Sequence, residues 1–191
     1  LPTTAIGRAV SLTKENKRPV VLGAAFDFDA TKNFTVSAWV KPTQFGAIVS
    51  RMDEAMAYRG FDMLLMPNGR MNVHLIHDWP GNGTKITTRM PLPKDQWTHV
   101  VVAVRTPGKA ADIQVYMNGQ KVPVAVNLDS LDGTTITDHP VWLGHRAQTT
   151  PFAGLISDFR IWDTDLSAEA AKRLFQATLT RQIKATEPQL S

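Results

Sequence analysis

Short runs of apolar and β-branched residues, most of them ended by turn signals, fill the first 165 residues and constrain the fold more than any other feature. Residues 34–40 alternate apolar with small or polar side chains at period two, as a half-buried strand does, and Lys41-Pro42 ends the run. Pro67-Asn68-Gly69 and Asn118-Gly119 mark two hairpins, because Asn and Gly tolerate positive φ. No amphipathic helix separates the runs, so the pattern predicts an all-β, antiparallel β-sandwich rather than a βαβ sheet.

The remaining strands follow from the same criteria. They are predicted at residues 47–50, 61–66, 70–76, 97–104, 113–117, 120–124, 141–144 and 155–162. The run 97–104 is almost wholly apolar or β-branched, so it is predicted to be a central strand. Trp39, Trp97, Trp142 and Trp162 all fall in predicted strands and are interpreted as core or inter-sheet packing.

One C-terminal helix follows the strands. Ser167 is its predicted N-cap, and Glu169 suits the first turn, where the helix dipole favours an acid. Leu174, Phe175 and Leu179 recur at helical spacing on one face. The predicted units are a leader at 1–7, a sandwich at 8–166, the helix at 167–185 and a loose tail at 186–191.

Composition excludes several classes of function. The 191 residues are 43% apolar and contain no cysteine, so a disulfide framework, a thiolate metal site and a cysteine nucleophile are all absent. The net charge of +4 is dispersed along the chain, which argues against nucleic-acid binding. No apolar run has the roughly 18 residues of a membrane span. Because the chain does not begin with Met, we expect it to be a segment of a larger protein.

Four segments, taken in order, resemble laminin-G-like domains of the concanavalin A-like lectin/glucanase superfamily. Residues 152–162, Phe-Ala-Gly-Leu-Ile-Ser-Asp-Phe-Arg-Ile-Trp, resemble the closing-strand pattern F-x-G-x-I-D-E-V-R-I-Y, and residues 165–169 resemble the A-L-S-x-E that follows it. Segments 34–42, 96–102 and 115–119 agree with the family's other strands. The resemblance implies a jelly roll of two stacked antiparallel sheets that binds carbohydrate or protein, sometimes with a calcium ion.

A narrower resemblance bears on the context of the chain. Residues 74–82, His-Leu-Ile-His-Asp-Trp-Pro-Gly-Asn, are similar to a segment of laminin-G-like domains embedded in large planctomycete proteins that also carry a cytochrome-c-type segment. This resemblance implies an internal module of an exported, multidomain protein, and therefore an extracytoplasmic location.

The acids of the chain weigh against both calcium and catalysis. The family's Asp in I-D-E corresponds to Ser157, which leaves Asp27, Asp29 and Asp158 as the candidate metal ligands, fewer than calcium usually takes. Asp27 and Asp29 are interpreted as a solvated strand face. Glycoside hydrolysis needs two carboxyl groups across the scissile bond, and none of the four Glu lies in a strand beside another acid at i+2 or i+4. The sequence predicts a non-catalytic module that requires no cofactor.

The candidate ligand site centres on Trp79. It lies among His77, Asn82 and turn-forming residues, so an exposed ring that stacks on a sugar or anchors a partner is predicted, with a ring folded over the sheet edge as the alternative. His74, three residues before His77, would face the opposite side of an unbroken strand, so the pair is not predicted to chelate a metal.

Two arginines extend this candidate site. Arg51 and Arg146 lie at strand ends and would suit an anionic or sulfated glycan if they converge with Trp79, because guanidinium groups pair well with planar anions. The alternative is that each arginine lies alone on the surface and does not converge with Trp79.

Three functions are open at this point. The first is glycan binding or adhesion, for which we expect a polar groove with an exposed Trp79. The second is a structural module that docks onto a neighbouring domain through an apolar patch on the helix face of Leu174, Phe175 and Leu179. An active glycosidase is third, since the carboxylate pair is missing.

Overall fold

The computed structural model describes residues 8–13, 15, 20–24, 26–146 and 149–186. The leader predicted at 1–7 and most of the tail predicted at 186–191 lie outside these residues. The described residues form thirteen strands and one α-helix. The strands are β1 (Ala9–Leu12), β2 (Val20–Val21), β3 (Phe34–Gln44), β4 (Gly46–Asp53), β5 (Arg59–Leu65), β6 (Met71–Asp78), β7 (Asn82–Thr88), β8 (Thr98–Val104), β9 (Ile113–Met117), β10 (Gln120–Lys121), β11 (Val124–Asp129), β12 (Trp142–Leu143) and β13 (Ala153–Trp162), and the helix is α1 (Ala168–Thr186).

The strands form two antiparallel sheets that stack as a sandwich. One sheet has six strands in the order β1-β13-β3-β8-β9-β10, and the other has seven in the order β11-β7-β6-β5-β4-β12-β2. The predicted fold class is therefore confirmed, and β8 lies centrally as predicted. No described helix is long and apolar enough to cross a membrane.

Alternate residues of both sheets fill the core between them. Phe34 on β3 and Phe61 on β5 meet across the sandwich with ring centroids 5.3 Å apart, and Phe28 stacks on Phe61 at 4.7 Å. All three rings are buried. This core is the interaction that orients each strand, because burying one set of alternate side chains points the other set outward.

Several segments differ from the predicted strands. Strands β1 and β2 were not predicted, and β3 continues through Pro42 to Gln44 although Lys41-Pro42 was predicted to end it. The run predicted at 120–124 is divided: β10 ends at Lys121, and β11 begins at Val124 in the other sheet. Pro123, which has no amide proton to donate to a ladder, lies at the crossing. Strand β7 was not predicted, because Ile86 is its one large apolar residue and the run 82–88 is otherwise Asn, Gly, Thr and Lys.

Helix α1 covers the outer face of the six-stranded sheet. The N-cap prediction is confirmed, because the amide of Ala170 donates to Oγ of Ser167 at 3.2 Å. Phe175 and Leu179 pack on Trp39 and Trp97, which are buried. These two tryptophans therefore lie between sheet and helix, not between the two sheets. The rings of Trp142 and Trp162 are only half-buried.

His99 is buried in the same layer. Its ring lies 5.3 Å from Trp39 and 6.2 Å from Phe175, and its Nδ1 has no hydrogen-bond partner among the described residues. Burial lowers the pKa of His99 to about 4, while the Asp158 carboxylate opposes part of that shift.

The helix contact can be tested by truncating Phe175. We expect Phe175→Ala to lower the free energy of unfolding by about 2 kcal/mol, because a half-buried ring is lost and Trp39 is uncovered. Urea unfolding followed by tryptophan emission measures both effects. Arg173→Ala, an exposed position on the same helix, is the control and should change stability by less than about 0.5 kcal/mol. Equal stability of the two variants would contradict this packing.

The buried histidine predicts an acid-sensitive fold. Between pH 6.5 and about 4 the unfolded chain binds a proton that native His99 does not bind, so stability falls by about 3 kcal/mol as the pH drops through this window. His99→Gln should flatten the dependence of the unfolding free energy on pH. An NMR titration should show the His99 ring titrating near pH 4, and a midpoint near 6.5 would contradict the prediction.

Candidate functional site

Strand pairing brings four polar residues into one row on the outer face of the seven-stranded sheet. Ser50 on β4 lies opposite Asp62 on β5, Asp62 lies opposite His74 on β6, and His74 lies opposite Lys85 on β7. Chain neighbours of the last three residues face the core, namely Phe61, Met63, Val73, Leu75 and Ile86. Burial of these apolar neighbours therefore turns the polar row outward.

Asp62 is the buried anchor of this row. Its Oδ1 lies 2.6 Å from Nδ1 of His74, and its Oδ2 accepts from Nε of Arg146 at 2.6 Å and from Nη2 at 2.5 Å. Burial opposes ionisation, but the charges and hydrogen bonds of His74 and Arg146 outweigh it and hold the pKa of Asp62 below its usual value. An ionised Asp62 thus positions two basic side chains.

A cavity of about 260 Å³ opens above this anchor. His74, Lys85 and Arg146 line it together with the amide side chain of Asn72. The apolar part of the lining consists of Met52, Leu64, Met66 and Ile76. The cavity can therefore offer charge and hydrogen bonds to one part of a ligand and apolar contact to another part.

Two exposed aromatic rings complete the cavity wall. Tyr58 is 38% exposed and Trp79 is 37% exposed, although large aromatic side chains are ordinarily more buried. The amide of Trp79 donates to the carbonyl of Ala57 at 2.9 Å, which places the two rings on one rim. Cζ of Arg146 lies 5.7 Å from the centroid of Tyr58, and Nζ of Lys85 lies 5.6 Å from that of Trp79. These are cation–π distances.

Three of the candidate residues identified from the sequence meet in this cavity. They are His74, Trp79 and Arg146. The predicted exposure of Trp79 agrees with the structure, and its ring lies 6.2 Å from His74 in an edge-on arrangement. The alternative prediction, that each arginine lies alone on the surface, does not hold for Arg146, because its side chain is only 14% exposed.

The other three candidate residues bind to the protein itself, outside the cavity. Arg51 is buried, and its guanidinium donates to the carbonyls of Phe26 and Thr137 and pairs with Asp27. Nδ1 of His77 bonds to the carbonyl of Thr134 at 2.8 Å. Asn82 exchanges two hydrogen bonds with the backbone of Asp132, at 2.6 and 2.8 Å.

Sequence reasoning missed Tyr58, Asp62, Asn72 and Lys85. A signal existed for Asp62, because the Asn68-Gly69 turn sets the register in which Leu65 faces Met71 and therefore Asp62 faces His74. No comparable signal existed for Lys85, since β7 was not predicted as a strand and a bulge shifts its register with β6.

The three candidate calcium ligands do not form one site. Asp27 pairs with Arg51 at 2.9 Å, and Asp158 pairs with Arg160 at 2.8 Å. Asp29 is buried, accepts from the hydroxyl of Thr31 and lies in a loop, so the interpretation of residues 27 and 29 as a solvated strand face is wrong. No group of three or more His, Asp or Glu side chains among the described residues could hold a metal ion.

The role of Asp62 can be tested by removing its charge. We expect Asp62→Asn to lower the unfolding free energy at pH 7 by about 3 kcal/mol, because Arg146 loses its buried counter-ion. The exposed Asp138→Asn is the control and should have little effect. The pKa of Asp62 in the folded protein lies below its usual value of 3.8. The stabilisation by its carboxylate is therefore fully present above pH 3.8 and is lost as the pH falls through the pKa of the folded state. This role would be contradicted if the wild-type protein and Asp62→Asn had the same free energy of unfolding at pH 7.

The similar solved structures include binding domains. The binding domain of Paraclostridial Mosquitocidal Protein 1 is 16% identical with a TM-score of 0.64, and 88% of this chain aligns with 42% of that one. The chain thus spans less than half of that domain. A heptameric SAP-like pentraxin from Limulus polyphemus is 19% identical with a TM-score of 0.61, covering 90% of this chain and 83% of its own.

A third similar structure is a carbohydrate-binding module. It is the Ruminococcus gnavus IT-sialidase CBM40 bound to α2,3-sialyllactose, at 16% identity and a TM-score of 0.60, covering 84% of this chain and 96% of that one. No curated protein matches the sequence. The family model of the concanavalin A-like lectin/glucanases superfamily matches residues 14–172. Because this match covers most of the chain and the stacked antiparallel sheets agree with it, the protein belongs to the concanavalin A-like lectin/glucanases superfamily.

Proposed function

We propose that the chain is a non-catalytic carbohydrate-binding module whose ligand occupies the cavity on the seven-stranded sheet. The observation that carries this proposal is the pair of exposed rings, Tyr58 and Trp79, on the rim of a polar floor. Sugar rings present apolar C–H faces that stack on aromatic side chains, while their hydroxyls need donors and acceptors. Asn72, His74 and Lys85 supply those groups within the same cavity.

The acids of the cavity argue for binding without catalysis. Asp62 is wholly buried beneath the cavity and engaged by His74 and Arg146, and no carboxylate of the described residues lines the cavity itself. A glycosidase needs two carboxyl groups in reach of the scissile bond, one of them able to give up or take a proton. An ionised Asp62 held by two bases does not suit either role.

The competing proposal, a docking module with no free ligand, rests on an open apolar patch along the helix. In the structure Phe175 and Leu179 pack against Trp39 and Trp97, so that face is used within the domain. Binding through the cavity is therefore the better-supported proposal. It includes an extracytoplasmic location within a larger protein, in keeping with the resemblance of residues 74–82 to modules of exported proteins.

A glycan array tests the proposal directly. We expect binding of one or more oligosaccharides, and we expect Trp79→Ala to weaken it at least tenfold, or by about 1.4 kcal/mol, because the stacking surface is removed. Phe45→Ala, which truncates a similarly exposed ring outside the cavity, is the matched control and should bind normally. Absence of glycan binding by the wild-type chain would refute the proposal and favour docking onto a neighbouring domain.

The same array tests whether a metal is needed. We propose that binding requires no calcium, because Asp27, Asp29 and Asp158 are engaged separately by protein groups. Binding should therefore be unchanged within twofold when a chelator replaces calcium in the buffer. Loss of binding in chelator, restored by added calcium, would show that the module depends on a metal.

A further inference from the structure

The cavity contains more basic than acidic groups. Lys85, Arg146 and His74 line it, whereas Asp62 is the one acid in contact with these side chains among the described residues. Two of the three bases share that acid, since Oδ1 of Asp62 meets His74 and Oδ2 meets Arg146. One ionised carboxylate therefore offsets one cationic charge, and at least one positive charge remains in the cavity.

Lys85 carries that remaining charge. Its side chain is half-buried, and it forms no ion pair with a described residue. Its one specific contact is the face of Trp79, 5.6 Å from Nζ to the ring centroid. Burial of a cation without a counter-ion costs free energy, and a ring face compensates only part of that cost.

Three arginines outside the cavity each have an acidic partner. Arg51 pairs with Asp27, Arg105 with Asp165, and Arg160 with Asp158. In the cavity, half-buried Lys85 lies against the exposed ring of Trp79, and no acid among the described residues pairs with this lysine. A ligand that brings a negative charge would complete the pattern.

We infer that the glycan bound in this cavity is anionic, with a carboxylate or sulfate group held by Lys85 and a ring face stacked on Trp79. This inference rests on the proposed function and specifies its ligand class. The row from Asp62 through His74 to Lys85 lies on three adjacent strands, so the anion has Lys85 on one side and the Asp62-bound pair, His74 and Arg146, on the other.

His74 contributes through its second ring nitrogen. Ionised Asp62 can only accept, so Nδ1 of His74 carries the proton of their 2.6 Å hydrogen bond. Nε2 remains as the nitrogen for a ligand, and it donates to an anion when the ring is protonated. Arg146 has its Nε and Nη2 on Asp62, which leaves Nη1 as the guanidinium nitrogen available to the same anion.

Calorimetric titration with matched sugars tests the inference. The ligands are a uronic-acid oligosaccharide, the same oligosaccharide with its carboxyl groups reduced to alcohols, a sulfated counterpart and a sialyl oligosaccharide with its asialo form. We expect the acidic sugar that binds most tightly to bind at least tenfold more tightly than its neutral partner. Its affinity should fall as the salt concentration rises from 50 to 500 mM, because salt screens exposed charge contacts. The acidic form that binds most tightly distinguishes carboxylate from sulfate.

Substitution of Lys85 locates the contact. Lys85→Gln keeps most of the side-chain length, removes the charge and should abolish the acidic preference while leaving the thermal midpoint unchanged within about 2 °C. Lys121→Gln, an exposed lysine on the other sheet, is the control and should keep the full preference.

The outcomes separate the two proposals. Neutral sugars bound as tightly as acidic ones, with Trp79 required, would overturn the anionic ligand and leave carbohydrate binding intact. An acidic preference retained in Lys85→Gln would overturn the assignment of the contact to this cavity. Failure of every sugar to bind would overturn both proposals together.

Discussion

Burial of the inner faces of the two sheets is the interaction on which the rest of the structure depends. Because side chains alternate along a strand, packing Phe61 and Met63 inward leaves Asp62 no orientation but outward, and the same holds for His74 between Val73 and Leu75. The polar row is thus a direct consequence of the apolar core. A shift of β6 by one residue would move His74 into the core and Val73 into the cavity.

The two outer faces of the sandwich have different coverings. On the six-stranded sheet, α1 covers Trp39 and Trp97, so both rings are buried. On the seven-stranded sheet, Tyr58 and Trp79 remain exposed beside charged groups. Aromatic residues therefore serve packing on one face and, in the proposed function, recognition on the other.

Much of the fold could be predicted from local patterns, whereas the site could be predicted only in part. The Asn-Gly turns, the alternation of residues 34–40 and the Ser167 cap act over a few residues, so each is legible in the sequence. Arg146 reaches Asp62 across 84 positions, and no local pattern encodes such a contact. Arg51 shows the converse, because a strand-end arginine that suited a ligand instead ties Phe26 and Thr137 together within the protein.

The position of the polar row on paired strands has a consequence for how the cavity meets a ligand. Ser50, Asp62, His74 and Lys85 stand on four adjacent strands whose backbones are already held by ladder hydrogen bonds, and Asp62 further restrains His74 and Arg146. Few torsion angles remain to be frozen when a ligand arrives, so little conformational entropy is lost on association. The cavity is in this sense preorganised, and complementarity of charge and shape, more than loop ordering, sets which ligands it retains.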